Sequence, residues 1–224
     1  MLRKIVFILL LILTTKIVFS QMGGSSTYEF LNLPSSTRIA TMGGNNVSNY
    51  DNDLNFSLTN PALLRHTMDK QVSLNYINYV SDINLGYITY AHNINDVGTF
   101  AAGLHYINYG DFLHTNETGE ILGNFVPSEY SLNLYYSRPL NSKFNAGAAL
   151  KTIYSSFFTH FSSGVALDLG LSYFDSDHLF SAGLVVKNFG TQLKPYTTDN
   201  YEPLPFDVQL GFTKGLAHAP LRFS

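Results

Sequence analysis

The residues of this chain best equipped for chemistry are its seven histidines, two short acidic runs and a pair of opposite charges, Lys151 and Asp168. The histidines (His66, His92, His105, His114, His160, His178 and His218) form no His-x-His or His-x-x-x-His pair, so their spacing suits no shared metal ion. Asp51-Asn52-Asp53 opens like a calcium loop. Its sixth position is Phe56 where a glycine must turn the chain, and its closing position is Ala62 where a bidentate glutamate is needed. Asp175-Ser176-Asp177 fits a tight turn, where a short carboxylate accepts from nearby backbone N–H groups. No serine stands in the glycine frame of a nucleophile elbow, and with no cysteine there is no thiol chemistry and no disulfide. The expectation is a protein with no catalytic residue, no metal site and no cofactor, and so not an enzyme.

The elements around these residues explain why. From Val72 onward, segments of about ten residues alternate large apolar with small or polar side chains, then break at a turn. In Gly164–Tyr173, Val165, Leu167, Leu169, Leu171 and Tyr173 face one way, and Gly164, Ala166, Asp168, Gly170 and Ser172 the other. The second face is too poor in charge to be a water-facing surface, but it suits the lining of a plugged barrel whose oily face meets lipid. Strands are expected at 71–80, 83–92, 98–109, 129–138, 143–154, 163–174, 179–188 and 206–214, with another starting at Leu221. Lumen positions then include Thr99, Ala101, Gly103, His105, Ser131, Asn133, Tyr135, Asn145, Gly147, Ala149 and Lys151. A hairpin turning near residue 159 brings Lys151 close to Asp168 as an inward ion pair. Both long connections, 110–128 and 189–205, fall at one end of the strands, as in outer-membrane barrels with short periplasmic turns. Their apolar side chains, Phe112, Leu113, Phe125, Phe189, Tyr196 and Tyr201 among them, mark them as a docking surface. The alternative is a lid folded inward.

Composition agrees. Charged residues are 13% with net charge −3, which leaves no basic stripe for nucleic acid. A mean hydropathy of +0.03 is what alternating lipid-facing and lumen-facing residues average to. With 15 Tyr, 17 Phe and no Trp, any interfacial girdle must be Tyr and Phe. Residues 1–20 read as a cleaved signal peptide: Arg3 and Lys4, the apolar run Ile5–Leu13, then Val18-Phe19-Ser20 before Gln21. Residues 21–70 lack sustained alternation yet carry regularly placed Phe, Leu and Ile. They are expected to form an N-terminal hatch filling the lumen, with Arg38 inside and paired to a carboxylate. Residues 71–224 form a partial transmembrane β-barrel. An odd number of strands begun predicts continuation past Ser224, because a lipid-exposed edge leaves backbone groups unpaired.

Three stretches carry a family likeness: Tyr28-Glu29-Phe30-Leu31-Asn32-Leu33-Pro34; Arg38 with Met42, Gly43 and Gly44; and Asn60-Pro61-Ala62-Leu63-Leu64. The chain resembles the PorV/PorQ family of the type IX secretion system of Bacteroidetes, relatives of the long-chain fatty-acid transporter (FadL-like) barrels. The phrase Gly23–Ser36 lies nearest the PorQ branch. The resemblance implies an all-β, antiparallel outer-membrane barrel with an N-terminal hatch and about fourteen strands, of which this chain covers the first eight or nine. It also implies a non-enzymatic secretion component, set in outer-membrane lipid, that anchors surface attachment-complex proteins (PorZ, PorU and PorV). A transporter for hydrophobic small molecules is the alternative. Small or polar lumen positions favour packing around a hatch over an apolar pocket of several hundred Å³.

Overall fold

The computed structural model describes residues 26–216 and 221–224; the expected leader, Gly23, Gly24 and His218 lie outside them. Nine strands form one antiparallel sheet: β1 (Val72–Asn78), β2 (Asn84–Ile94), β3 (Gly98–Asn108), β6 (Ser128–Pro139), β7 (Phe144–Phe157), β8 (His160–Asp175), β9 (Phe180–Lys194), β10 (Asp207–Gly215) and β11 (Arg222–Phe223). Each pairs with its neighbour in that order, a meander interrupted once. Between β3 and β6 the chain makes a separate two-stranded hairpin, β4 (Phe112–Thr115) and β5 (Ile121–Phe125). The 110–128 connection is therefore structured where alternation alone suggested a loop. Among the described residues no helix is long and apolar enough to cross a membrane.

Period two sorts the two faces. On β6, Tyr130, Leu132 and Leu134 point outward and stay exposed, with Tyr136 half-buried on the same face, while Glu129, Ser131, Asn133, Tyr135 and Ser137 turn inward and are buried. The aromatic residues of the outer face gather in two bands. Tyr106 with Tyr130, and Tyr154 with Phe161, stack at one end; Phe100 with Tyr136, and Phe144, Tyr173, Phe180 and Phe212, pack at the other. Between them the exposed positions are mostly aliphatic, including Leu104, Leu132, Leu150 and Leu169, with Thr152 among them.

The inner face is covered by the chain's own N-terminal segment, which has one short helix, α1 (Thr37–Thr41), and several single 3₁₀ turns. Its largest side chains are sequestered: Phe30, Ile39, Phe56, Leu63, Leu64 and Met68 are at most 1% exposed. Each such burial contributes about 1.5–3 kcal/mol. Tyr28, Phe30 and Leu31 pack with Leu85, Tyr87, Ile107 and Ile153, while Leu54, Leu64 and Met68 pack with Ala91, Ala101, Tyr135 and Ala149.

The segment's backbone lies directly on the sheet, and this explains the small, polar inner residues. A Cβ at Gly147 or Gly170 would run into the chain at Asn60–Ala62, and one at Gly183 into Val47. Where carbonyls meet the sheet, side chains donate to them: Asn145 Nδ2 to Ala62 O at 2.6 Å, Ser172 Oγ to Ala62 O at 3.0 Å, and Ser181 Oγ to Ser48 O at 2.6 Å. Packing and hydrogen bonding thus demand the same residue types. Gly183→Val should lift residues 46–60 from the sheet and open the buried Leu54 and Phe56 to chymotrypsin in the intact protein. Ala182→Val, one residue away on the outer face, should leave them protected; equal protection in both variants would contradict the packing.

Candidate functional site

The turns of the N-terminal segment account for its distinctive residues. Ser36 caps α1 by accepting from Ile39 N at 3.3 Å. The helix ends where Gly43 (φ +93°) and Gly44 (φ +83°) take left-handed conformations, their N–H groups donating to Ala40 O and Ile39 O. That double return needs glycine's freedom at positive φ. Asn60, fully buried, accepts from Ala62 N at 3.0 Å and donates to Val47 O at 2.9 Å, with Pro61 at the first helical position. Met42 is 37% exposed beside Asn49.

Arg38 departs from expectation. Its guanidinium pairs with carboxylates, Asp51 and Asp53, the latter at 2.8 Å, and lies over the Phe56 ring. Yet the side chain is 49% exposed and both partners belong to its own segment. The alternation of strands carries no information on a residue outside them, and Asp51 and Asp53 fold back locally onto Arg38. The resemblance to a calcium loop dissolves in the same contacts, because these carboxylates are spent on arginines. Among the described residues no group of His, Asp and Glu could hold a metal.

On the inner face Lys151 Nζ sits 2.7 Å from the Asp168 carboxylate and 2.8 Å from Asn188 Oδ1, both charged side chains being at most 5% exposed. In the register Lys151 lies opposite Ala166, and Asp168 is its diagonal neighbour on the same face. Asp168 Oδ1 also accepts from Asn188 N at 2.8 Å. This contact depends on a β-bulge: Leu167 pairs with Phe189 and Leu169 with Val186, so Lys187 and Asn188 together face Asp168. Asn188 adopts φ +55°, which asparagine tolerates better than most residues. Both bulge residues are buried, at 5% and 1% exposure. Sequence reading missed them. Alternation through Ser181, Gly183 and Val185 already points Lys187 inward; Asn188 turns inward only because of the bulge.

At the end of the sheet carrying the long connections, the expected docking residues divide. Phe112, Leu113 and Tyr201 are exposed, with Leu113 at 59%. Phe125 is half-buried between Phe112 and Phe158, joining the β4–β5 hairpin to the β7–β8 turn. Phe189 is exposed but belongs to β9, which runs past the expected strand end because Phe189–Lys194 continue to pair with β8. Tyr196 turns inward: it packs on Tyr28 and Phe157 and meets Ser155 Oγ through its hydroxyl. The 195–206 connection acts there as a lid, also held by Thr27 N to Pro203 O at 2.9 Å and by Leu204 in the core.

At the other end, Arg222 of β11 reaches Asp51, joining strand to segment. Asp175 accepts from Asp177 N within its turn and pairs with Lys143 at 3.0 Å and with His178 at 3.1 Å.

A single large antiparallel sheet, apolar on its outer face and covered on its inner face by the N-terminal segment, defines an all-β protein. A family model described as "Type IX secretion system protein PorV" matches residues 21–216, and the chain belongs to that family. No curated protein matches it.

Burial pushes the Asp51 carboxyl up, but hydrogen bonds and charge from Arg222 and Arg38 outweigh it and hold the group below the usual carboxylate range. A carboxylate lowered in the folded state adds stability that is complete above its ordinary pKa of about 4 and is lost as pH falls through the folded value. The Asp51–Arg222 contact should therefore hold at neutral pH and weaken on acidification below about 4, read as loss of hydrogen-exchange protection around residues 49–53. Arg222→Leu should diminish that acid-dependent step; an unchanged acid response in the variant would remove Asp51–Arg222 as its source.

Proposed function

We propose that this chain is an outer-membrane component of the type IX secretion system, of PorQ type, that anchors surface attachment-complex proteins and catalyses nothing. In this reading residues 21–70 are a hatch and residues 71–224 the first part of a closed transmembrane barrel. Support for the membrane setting comes from the two aromatic bands. Phe144 and Tyr154 stand ten residues apart along β7, about 33 Å at ~3.3 Å per residue, or about 25 Å once the strands tilt by ~40°. That is the height of an apolar band between interfacial girdles.

The observation that carries the anchoring role is the β4–β5 hairpin. It lies between β3 and β6 at the long-loop end, apart from the main sheet, and exposes Leu113, Ile121 and Leu122, at 57–60%. Apolar side chains gathered on a separate hairpin suit the buried centre of a protein interface. By resemblance to the family the docked proteins are PorZ and PorU, with PorV in the same assembly. The transporter reading has less behind it. The small cavity at His105 has about 30 Å³ and is lined by Lys151, Lys187 and Asn133. The larger cleft of about 830 Å³ at Leu64 and Asn145 is walled by Arg65, His66, Asp96, Arg138 and Lys143, a charged lining that suits a hydrophobic ligand poorly.

Replacing 112–125 with a short Gly/Ser linker should leave the barrel inserted and heat-stable in outer membranes, while large surface proteins no longer co-purify in mild detergent. Tyr201→Ala should weaken retention less. If surface proteins remain attached after the hairpin is removed, the anchoring role belongs elsewhere.

A further inference from the structure

Beyond anchoring, the interior contains charges that neither the hatch packing nor the docking surface uses. Lys187 is 5% exposed, and no carboxylate of the described residues comes within ion-pair reach of its ammonium. Asp168 is taken by Lys151 and by Asn188 N. Asp207 is the cross-strand neighbour of Lys187, but its carboxylate accepts from Gln209 Nε2 at 2.6 Å. An ammonium buried without a counter-charge is costly.

Lys187 and Lys151 both line the small cavity between the N-terminal segment and the sheet. Ser35 and His105 line it too, and each has a buried polar atom, Ser35 Oγ and His105 Nε2, with no partner among the described residues. Asn133 adds amide donors, its Oδ1 already accepting from Ser131 at 2.6 Å. Tyr87, stacked on His105, and Tyr135 complete the wall. The lining therefore offers two cations and several N–H and O–H donors, with its nearest carboxylate committed to Lys151. At about 30 Å³ the space suits an ion no larger than a couple of water molecules, such as a halide. Asn32 and Asn45, both exposed, mark the way in.

We propose that this cavity is a binding site for a small monovalent inorganic anion, chloride in the cell. Lys187 supplies the charge and Lys151, Ser35 and Asn133 surround it, so that the anion neutralises the bulge and fastens the N-terminal segment to β9. Function as an anchor is not required for this site, and binding is measured without the partner.

The test uses the protein purified from outer membranes in detergent, with bromide as the probe. Thermal unfolding should rise by several degrees in sodium bromide or chloride relative to sodium gluconate at equal ionic strength, saturating at millimolar halide. Crystals grown in bromide should show an anomalous peak beside Lys187. Lys187→Met should abolish both signals. Ser35→Ala, which keeps the charge, should shift saturation to higher halide and serves as the second variant if Lys187→Met does not insert. Three results would each overturn the site: a cavity holding only water, with Lys187 buried as a neutral amine; a halide effect undiminished in Lys187→Met; or saturation only at molar halide.

Discussion

The structure rests on one constraint: the backbone of an irregular segment lies flat against a β-sheet, and its peptide groups must find partners there. A buried carbonyl or N–H left unpaired costs as much as several ordinary contacts contribute. The sheet answers with side chains that donate from short stems, Asn145, Ser172 and Ser181, and with glycines where the two backbones come closest, Gly147, Gly170 and Gly183. Large apolar residues cannot occupy those inner positions without expelling the segment. They are placed on the outer face instead, where leucines and aromatic bands are exposed. An oily exterior and a small polar interior are thus two consequences of one packing arrangement.

Charge follows the same logic. On the inner face Lys151 and Asp168 are held together with Asn188, because removing water from one charge demands its complement nearby. At the end of the sheet bearing Arg222, Arg38 and Arg222 converge on Asp51 in partial contact with solvent. These exposed pairs position the chain more than they stabilise it. The far end has the lid, fastened through Tyr196 and Leu204, and the hairpin that stands free of it.

Much of this was legible in the sequence. A strict two-residue period assigns each side chain of a strand to one face, and Thr99, Ala101, His105, Ser131, Asn133, Asn145 and Lys151 all turn inward as the alternation implies. Period says nothing about departures from period. The bulge at Lys187–Asn188 adds one residue to β9, moving Asn188 to the interior and carrying the strand on through Phe189. Tyr196 reads as a surface aromatic until its distant partners, Tyr28 and Phe157, are known. Arg38 was placed by the expectation that a hatch is buried throughout, whereas Asp51 and Asp53 hold it at the edge. Each miss is a tertiary contact between residues far apart in the chain, or a local turn with no repeating signature.

Residues 26–70 are an integral layer of the protein, packed under the sheet and hydrogen-bonded to it. Amide hydrogen exchange of the protein in native outer-membrane vesicles tests this most directly. Slow exchange at Phe30, Phe56 and Leu63–Leu64, comparable with the sheet strands and far slower than the 195–206 connection, is the result this structure predicts. Fast exchange throughout 26–70 beside protected strands would contradict it, and the explanation of the inner face would fall with it.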